Sequence, residues 1–130
     1  MVDYTITLTR DEIGDILRKH ELFLMGKKGG KRIDLKGADL RCLNLVYADL
    51  SYADLRMADM YMANLEGADL EGADLRNANL QYVNLCGVSL IDADLRGANL
   101  RRAKIYQRAA DAASLTQKQR KGLIVIEEEK

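Results

Sequence analysis

One histidine, two cysteines and twenty Asp and Glu residues are the groups of this chain that could carry chemistry. General acid or base work needs a histidine or carboxylate facing a second group. His20 instead sits between Lys19 and Glu21 on a segment that reads as a helix, and is taken as a surface or cap residue. Cys42 and Cys86 are too far apart in the chain, with one histidine between the three of them, to make a zinc pattern. Gly29, Gly30 and Lys31 lack the leading glycine spacing and the hydroxyl of a phosphate loop. The carboxylates recur along the chain and are expected to point outward from a convex surface, where nothing desolvates them into acids or bases. The expectation is a protein that is not an enzyme, with no catalytic residue, no metal and no cofactor.

What positions these groups is a five-residue beat from Ile33 to Ile105. Every position divisible by five from Leu35 to Leu100 is Leu except Met60, and beyond Ile33 the position two before it is nearly always Ala, replaced by Leu43, Val83 or Val88. Neither an α-helix nor a continuous strand buries such a set. A step of five turns a helix by about 140° and scatters the leucines. In a strand an odd step throws alternate leucines to opposite faces. The pattern closes only if the chain takes a short extended step, turns and repeats, with Ala and Leu on the inner side. The chain has no proline, as a ladder that uses every amide requires. Gly37, Gly67, Gly72, Gly87 and Gly97 share the second variable position, which marks it as a corner with positive φ.

Blocks such as Ala38-Asp39-Leu40, Ala53-Asp54-Leu55, Ala73-Asp74-Leu75 and Ala98-Asn99-Leu100 resemble the pentapeptide-repeat family. The resemblance implies an all-β solenoid, a right-handed quadrilateral β-helix with Leu and Ala on its axis. About twenty residues per coil at roughly 4.8 Å per rung gives a rod of about 18 Å. The expected divisions are an N-terminal strand and capping helix over 1–32, the repeats over 33–105, and a C-terminal cap or dimerisation segment over 106–130.

Both ends depart from the beat, as a solenoid needs if its open edges are not to stack. Thr9 reads as an N-cap, Asp11 and Glu12 as a first turn, and Ile13, Ile16, Leu17 and Leu22 as the apolar face of a helix over 10–25 that covers the first coil. At the other end 107–113 is Ala-rich and helical, and Thr116 caps a short helix ending at Gly122. Residues 123–126 read as a buried strand, either paired with the alternating Val2, Tyr4, Ile6 and Leu8 or used as a dimer contact. Cys42 and Cys86 fall on outward positions of different faces, so no internal disulfide is expected. Free thiols, the lack of a signal peptide and the lack of a long apolar run place the protein in the cytoplasm, away from membranes.

Charge and exposed apolar residues are where function would lie. Net charge is zero, yet Asp49, Asp54, Asp59, Glu66, Asp69, Glu71 and Asp74 stand against Arg56 alone in the middle of the chain. Taken modulo twenty, Asp34, Asp54, Asp74 and Asp94 form one column, beside Lys36, Arg56, Arg76 and Arg96. One reading is that the columns neutralise each other. The other is that the carboxylates imitate the phosphates of duplex nucleic acid in a basic cleft; the resemblance supports this, since quinolone-resistance members of the family are held to imitate DNA while bound to gyrase, and small phage-encoded members can act against host defence proteins. The basic residues flanking the acidic stretch would be repelled by such a cleft. Tyr47, Tyr52, Met57, Tyr61 and Met62 take outward positions in one coil and read as a contact patch, to which a twofold dimer could be added. The expected partner is a protein, in one reading a nucleic-acid-handling one, with no direct contact to nucleic acid; the competing reading is an oligomerising scaffold.

Overall fold

The computed structural model describes residues 8–128. Thr9 opens α1 (Arg10–Leu24) through a reciprocal cap: the Glu12 amide donates to Thr9 Oγ1 (3.2 Å) and the Thr9 amide to Glu12 Oε1 (3.4 Å). The helix ends at Leu24, with Met25 as its C-cap. Gly30 then passes so close to the Phe23 backbone that any Cβ would collide with it. The Lys31 amide bonds Lys19 O (2.9 Å), which folds the chain back across the helix and into the first step of the beat.

Each step from Ile33 onward has the same construction. The Ala amide donates to the Leu carbonyl three residues earlier, as from Ala73 to Leu70 (3.0 Å), and closes a turn. Asp or Asn sits before the Leu because its Oδ1 accepts the amide two residues on, as Asp69 does from Glu71 (2.9 Å) and Asn84 from Cys86 (3.0 Å). The corner position has positive φ at every fifth residue from Gly37 to Arg102, including Tyr47, Tyr52, Met57, Met62 and Tyr82. Glycine therefore marks the corner without being required there. A side chain in that region costs roughly 1–2 kcal/mol, offset here by the bonds on either side of it.

Steps lie one above another at a spacing of twenty. Parallel bridges join Asp34, Asp54, Asp74 and Asp94 in a first column, Asp39, Asp59, Asn79 and Asn99 in a second, Asn44, Asn64, Asn84 and Lys104 in a third, and Asp49, Asp69 and Ser89 in a fourth. Four steps thus make one coil. Leu55, Met60, Leu65, Leu70, Leu75 and Leu80 are 0% exposed, so the beat stacks into a dry interior, each Leu contributing about 1.5–3 kcal/mol. Extended structure within a step is a single bridged residue; the strands of three residues are β1 (Lys104–Tyr106) and β2 (Ile124–Ile126), separated by α2 (Gln107–Ala112) and α3 (Gln117–Gly122).

The ends correct several expectations. α1 does cover the first coil, laying Ile13, Ile16 and Leu17 against Ile33, Leu35 and Leu40. His20 is no surface residue: it is fully buried. Its Nδ1 accepts the Ile33 amide (3.0 Å), so Nε2 carries the proton and donates to Ser51 O (2.7 Å). A first coil has backbone groups with no coil above them, and the imidazole supplies the missing donor and acceptor. At the far end Gln119 does the same work, its Nε2 donating to Leu95 O (2.8 Å) and Ala98 O (3.1 Å).

The strand over 123–126 forms, but its partner is β1, in parallel and in the register Lys104 to Ile124. Val2, Tyr4 and Ile6, the expected partners, lie outside the described residues. The spacing is again twenty, so β2 is one further rung of the third column, completed after two short helices. It is also not buried, Ile124 and Val125 being 37% and 42% exposed, because nothing among the described residues covers a last rung. Cys86 keeps its expected position outside the apolar core, but it is covered there. It is buried, in the same column as Glu66 and Tyr106, and desolvation pushes its thiol pKa up, whereas Cys42 is exposed.

Candidate functional site

The carboxylates that looked alike in sequence are divided by the coil into two populations. In the first column, the Arg56 guanidinium grips Asp54 with Nε to Oδ1 (2.9 Å) and Nη2 to Oδ2 (2.6 Å), and its Nε lies 3.7 Å from Asp74. Arg76 repeats this between Asp74 (2.7 Å) and Asp94 (3.8 Å), and Arg96 grips Asp94 (2.6 Å). Arg56 and Arg76 each bridge their own carboxylate and the one on the next rung, whereas Arg96 holds Asp94 alone. The hydrogen bond from Arg56 holds the Asp54 pKa at about 2, and that from Arg96 does the same for Asp94, again at about 2. In the second column Arg41 pairs with Asp39 (2.7 Å) and lies 3.9 Å from Asp59, which also accepts from Asn79 Nδ2 (3.0 Å).

The third and fourth columns carry Asp49, Glu66, Asp69, Glu71 and Asp92. None of them joins an ion pair among the described residues. Asp49 and Asp69 spend one oxygen on the turn, Asp49 accepting from both the amide (3.1 Å) and the hydroxyl (2.5 Å) of Ser51. Glu66 and Glu71 sit one position after the Leu, and their carboxylates hold no turn. The acidic character of this side is shared by all five carboxylates.

Of the candidate contact residues, Tyr47 and Tyr52 belong to this acidic side. Each ring lies on the glycine of the next rung: a Cβ at Gly67 would run into Tyr47, and one at Gly72 would come within 2.5 Å of Tyr52. Tyr52 Oη donates to Glu71 Oε1 (3.5 Å), and the Glu71 charge raises its pKa. Met57 and Met62 are half exposed at the next two corners, while Tyr61 makes an edge-to-face contact with Tyr82, their centroids 5.6 Å apart. A step of five moves the chain a quarter of the way round, so residues adjacent in sequence ring the coil. The structure brings Asp49, Glu66, Asp69, Glu71, Tyr47 and Tyr52 together. It sets Asp54, Asp59 and Asp74 on the arginine-paired side, with Met57 and Met62 on neighbouring corners and Tyr61 one residue before Met62. Asp92 completes the acidic side and was missed by the sequence reading; its residue number modulo twenty, equal to that of Tyr52 and Gly72, would have found it.

Among the described residues there is no group of three His, Cys, Asp or Glu side chains that could hold a metal ion, and no helix long and apolar enough to cross a membrane. No curated protein matches the chain. A solved pentapeptide repeat protein from the cyanobacterium Cyanothece 51142 is 44% identical over 52% of this chain, with a TM-score of 0.51. This chain covers 46% of that one, less than half its length. A pentapeptide repeat protein from Nostoc Pcc 7120 is 28% identical, covering 84% of this chain and 93% of its own, with a TM-score of 0.37. One from the Arabidopsis thaliana thylakoid lumen is 28% identical over 67% of this chain and 71% of its own, with a TM-score of 0.33. The family model for pentapeptide repeats matches residues 31–67 and 68–105, with 8 copies. With the twenty-residue register of the bridges, that match makes this chain a member of the pentapeptide-repeat family.

Proposed function

We propose that this protein is a non-catalytic interaction module whose third and fourth columns dock against a basic surface on a protein partner. The observation that supports it is the contrast between the two halves of the coil. Asp39, Asp54, Asp59, Asp74 and Asp94 of the first and second columns are paired with arginine, while Asp49, Glu66, Asp69, Glu71 and Asp92 join no ion pair among the described residues and lie beside the rings of Tyr47 and Tyr52. A charged patch with aromatic anchors gives both steering and a centre of contact. The coil itself is read as the right-handed, four-sided β-helix of the family. The cytoplasm is its proposed location, on the strength of the unpaired thiols of Cys42 and Cys86.

A partner that handles nucleic acid fits this side, and the module would then compete with nucleic acid for a basic cleft without touching nucleic acid itself. The charge density sets a limit on that reading. Five charges over three rungs of roughly 4.8 Å is about one per 3 Å, against about one per 1.7 Å of duplex DNA. The test is a double reversal, Glu66→Lys with Glu71→Lys, which leaves every turn intact. Binding to a nucleic-acid-handling partner captured from lysate should be salt-sensitive and fall at least tenfold in the variant. Unchanged affinity would sink the proposal. Reversing Asp54 and Asp74 is a poor test, since both hold turns and arginines. The second reading, an oligomerising scaffold, draws on the exposed Ile124 and Val125 of β2, and concentration-dependent sedimentation that survives the glutamate reversals would favour it.

A further inference from the structure

The far end of the rod holds a group of cations and amides that the acidic side does not use. In the third coil the Asn77 amide donates to Arg96 O (3.0 Å) and the Leu80 amide to Asn99 O (2.8 Å). One coil later the equivalent amides, those of Gly97 and Leu100, have no rung below them and no hydrogen-bond partner among the described residues. They open into a groove of about 710 Å³ lined by Asn99, Arg101, Thr116, Lys118, Gln119 and Lys121. Among the described residues Arg101, Lys118 and Lys121 join no ion pair, whereas Arg120, on the same short helix as the two lysines, lies 3.8 Å from Asp111. Among the described residues the groove lining contains no Asp or Glu.

The carbonyls at this edge are treated differently from the amides. The Ala98 carbonyl, equivalent to the Ala78 carbonyl that accepts from Asn99 one coil earlier, is taken by Gln119 Nε2, which also reaches Leu95 O, so the acceptor facing the missing rung is already satisfied while the donors are not. An added peptide strand presents alternating amides and carbonyls, and its amides would find no acceptor here. A ligand made only of acceptors meets no such mismatch. Backbone amides with Arg and Lys around them are also the groups that bind phosphate oxygens. Three cations match the roughly three negative charges that a diphosphate group carries at neutral pH. We propose that this groove binds a diphosphate group, free or as part of a nucleoside diphosphate, with its oxygens in the places of the absent carbonyls.

The test is an amide NMR titration of the full chain with inorganic pyrophosphate, ADP and a Glu-rich peptide in separate arms. Saturable shifts of the Gly97 and Leu100 amides with pyrophosphate are expected, weakened at least tenfold by Lys118→Glu with Lys121→Glu. Tighter binding of ADP than of pyrophosphate would identify a nucleotide as the source, and equal binding the free anion. The Arg102 amide, bonded to Gly122 O, serves as the marker that the end remains folded in the variant. No saturable shift, shifts indifferent to the reversal in a folded variant, or preference for the peptide would each overturn the proposal. Glu66→Lys with Glu71→Lys should leave this titration unchanged, so it fails or succeeds independently of docking by the acidic side.

Discussion

His20 is fully buried and holds two backbone groups of the first coil. Replacing it with Ala would leave the Ile33 amide and Ser51 carbonyl buried and unpaired, at about 1–3 kcal/mol for each group. His20→Ala is therefore expected to lose about 2–6 kcal/mol in urea denaturation, with the helix loosening from the first coil. Glycines divide in the same residue-by-residue way. Gly72→Ala must hold a Cβ at φ of 66° and meet the Tyr52 ring at 2.5 Å. A loss of about 1–3 kcal/mol is expected, of which Tyr52→Ala in the same chain should restore the contact part and leave the backbone part. Gly37, which has open space around it, should lose only the backbone part.

The arginine column is an element in its own right, because the guanidinium groups of Arg56 and Arg76 each link two rungs. Its acid response follows from the carboxylates. Asp54 and Asp94 have folded pKa values of about 2, depressed from an ordinary 3.8, and Asp74 is lowered by Arg76. Depressed carboxylates stabilise the fold fully above about pH 4, and that contribution disappears as pH falls through their folded values. Thermal melts between pH 5 and pH 2 should therefore show Tm falling over roughly pH 4 to 2. Arg56→Ala with Arg76→Ala should flatten that fall. At neutral pH the same pair of substitutions should cost only about 0–1 kcal/mol per bridge, since the arginine side chains are more than a third exposed. A large neutral-pH loss would mean that the column supports packing as well as charge.

For the whole molecule, inward and outward positions one residue apart should behave oppositely. Leu70 is 0% exposed and sits in the interior, so Leu70→Asp should abolish the cooperative transition by placing an unpaired carboxylate there. Glu71→Lys should shift the melt little, though it removes the long bond to Tyr52. Similar melting curves for the two would contradict the stacking of the beat. The rod is also charged unevenly, with uncompensated acids on one side and uncompensated bases at the far end. This segregation within a neutral chain predicts an electrostatic character that net charge conceals, and salt should weaken any association that uses it.

The interior was legible in the sequence because a strict period leaves one way to bury Leu every fifth residue. The columns followed from counting modulo twenty, and with them the pairing of Asp54 and Asp74 with arginine. The caps of α1 and α3 were legible too, since Thr9 and Thr116 act on residues three positions away. Aperiodic contacts could not be read this way. The roles of His20 and Gln119 depend on which backbone groups lack a neighbouring rung, and those groups lie 13 to 31 residues from His20 and 21 to 24 from Gln119 in the chain. β2 kept the twenty-residue register across two helices that show no beat, so only the folded chain could assign β1 as its partner. Local chemistry and periodicity thus set the rod from its sequence, while long-range proximity at its ends decided how the rod is closed and which charges stay unpaired.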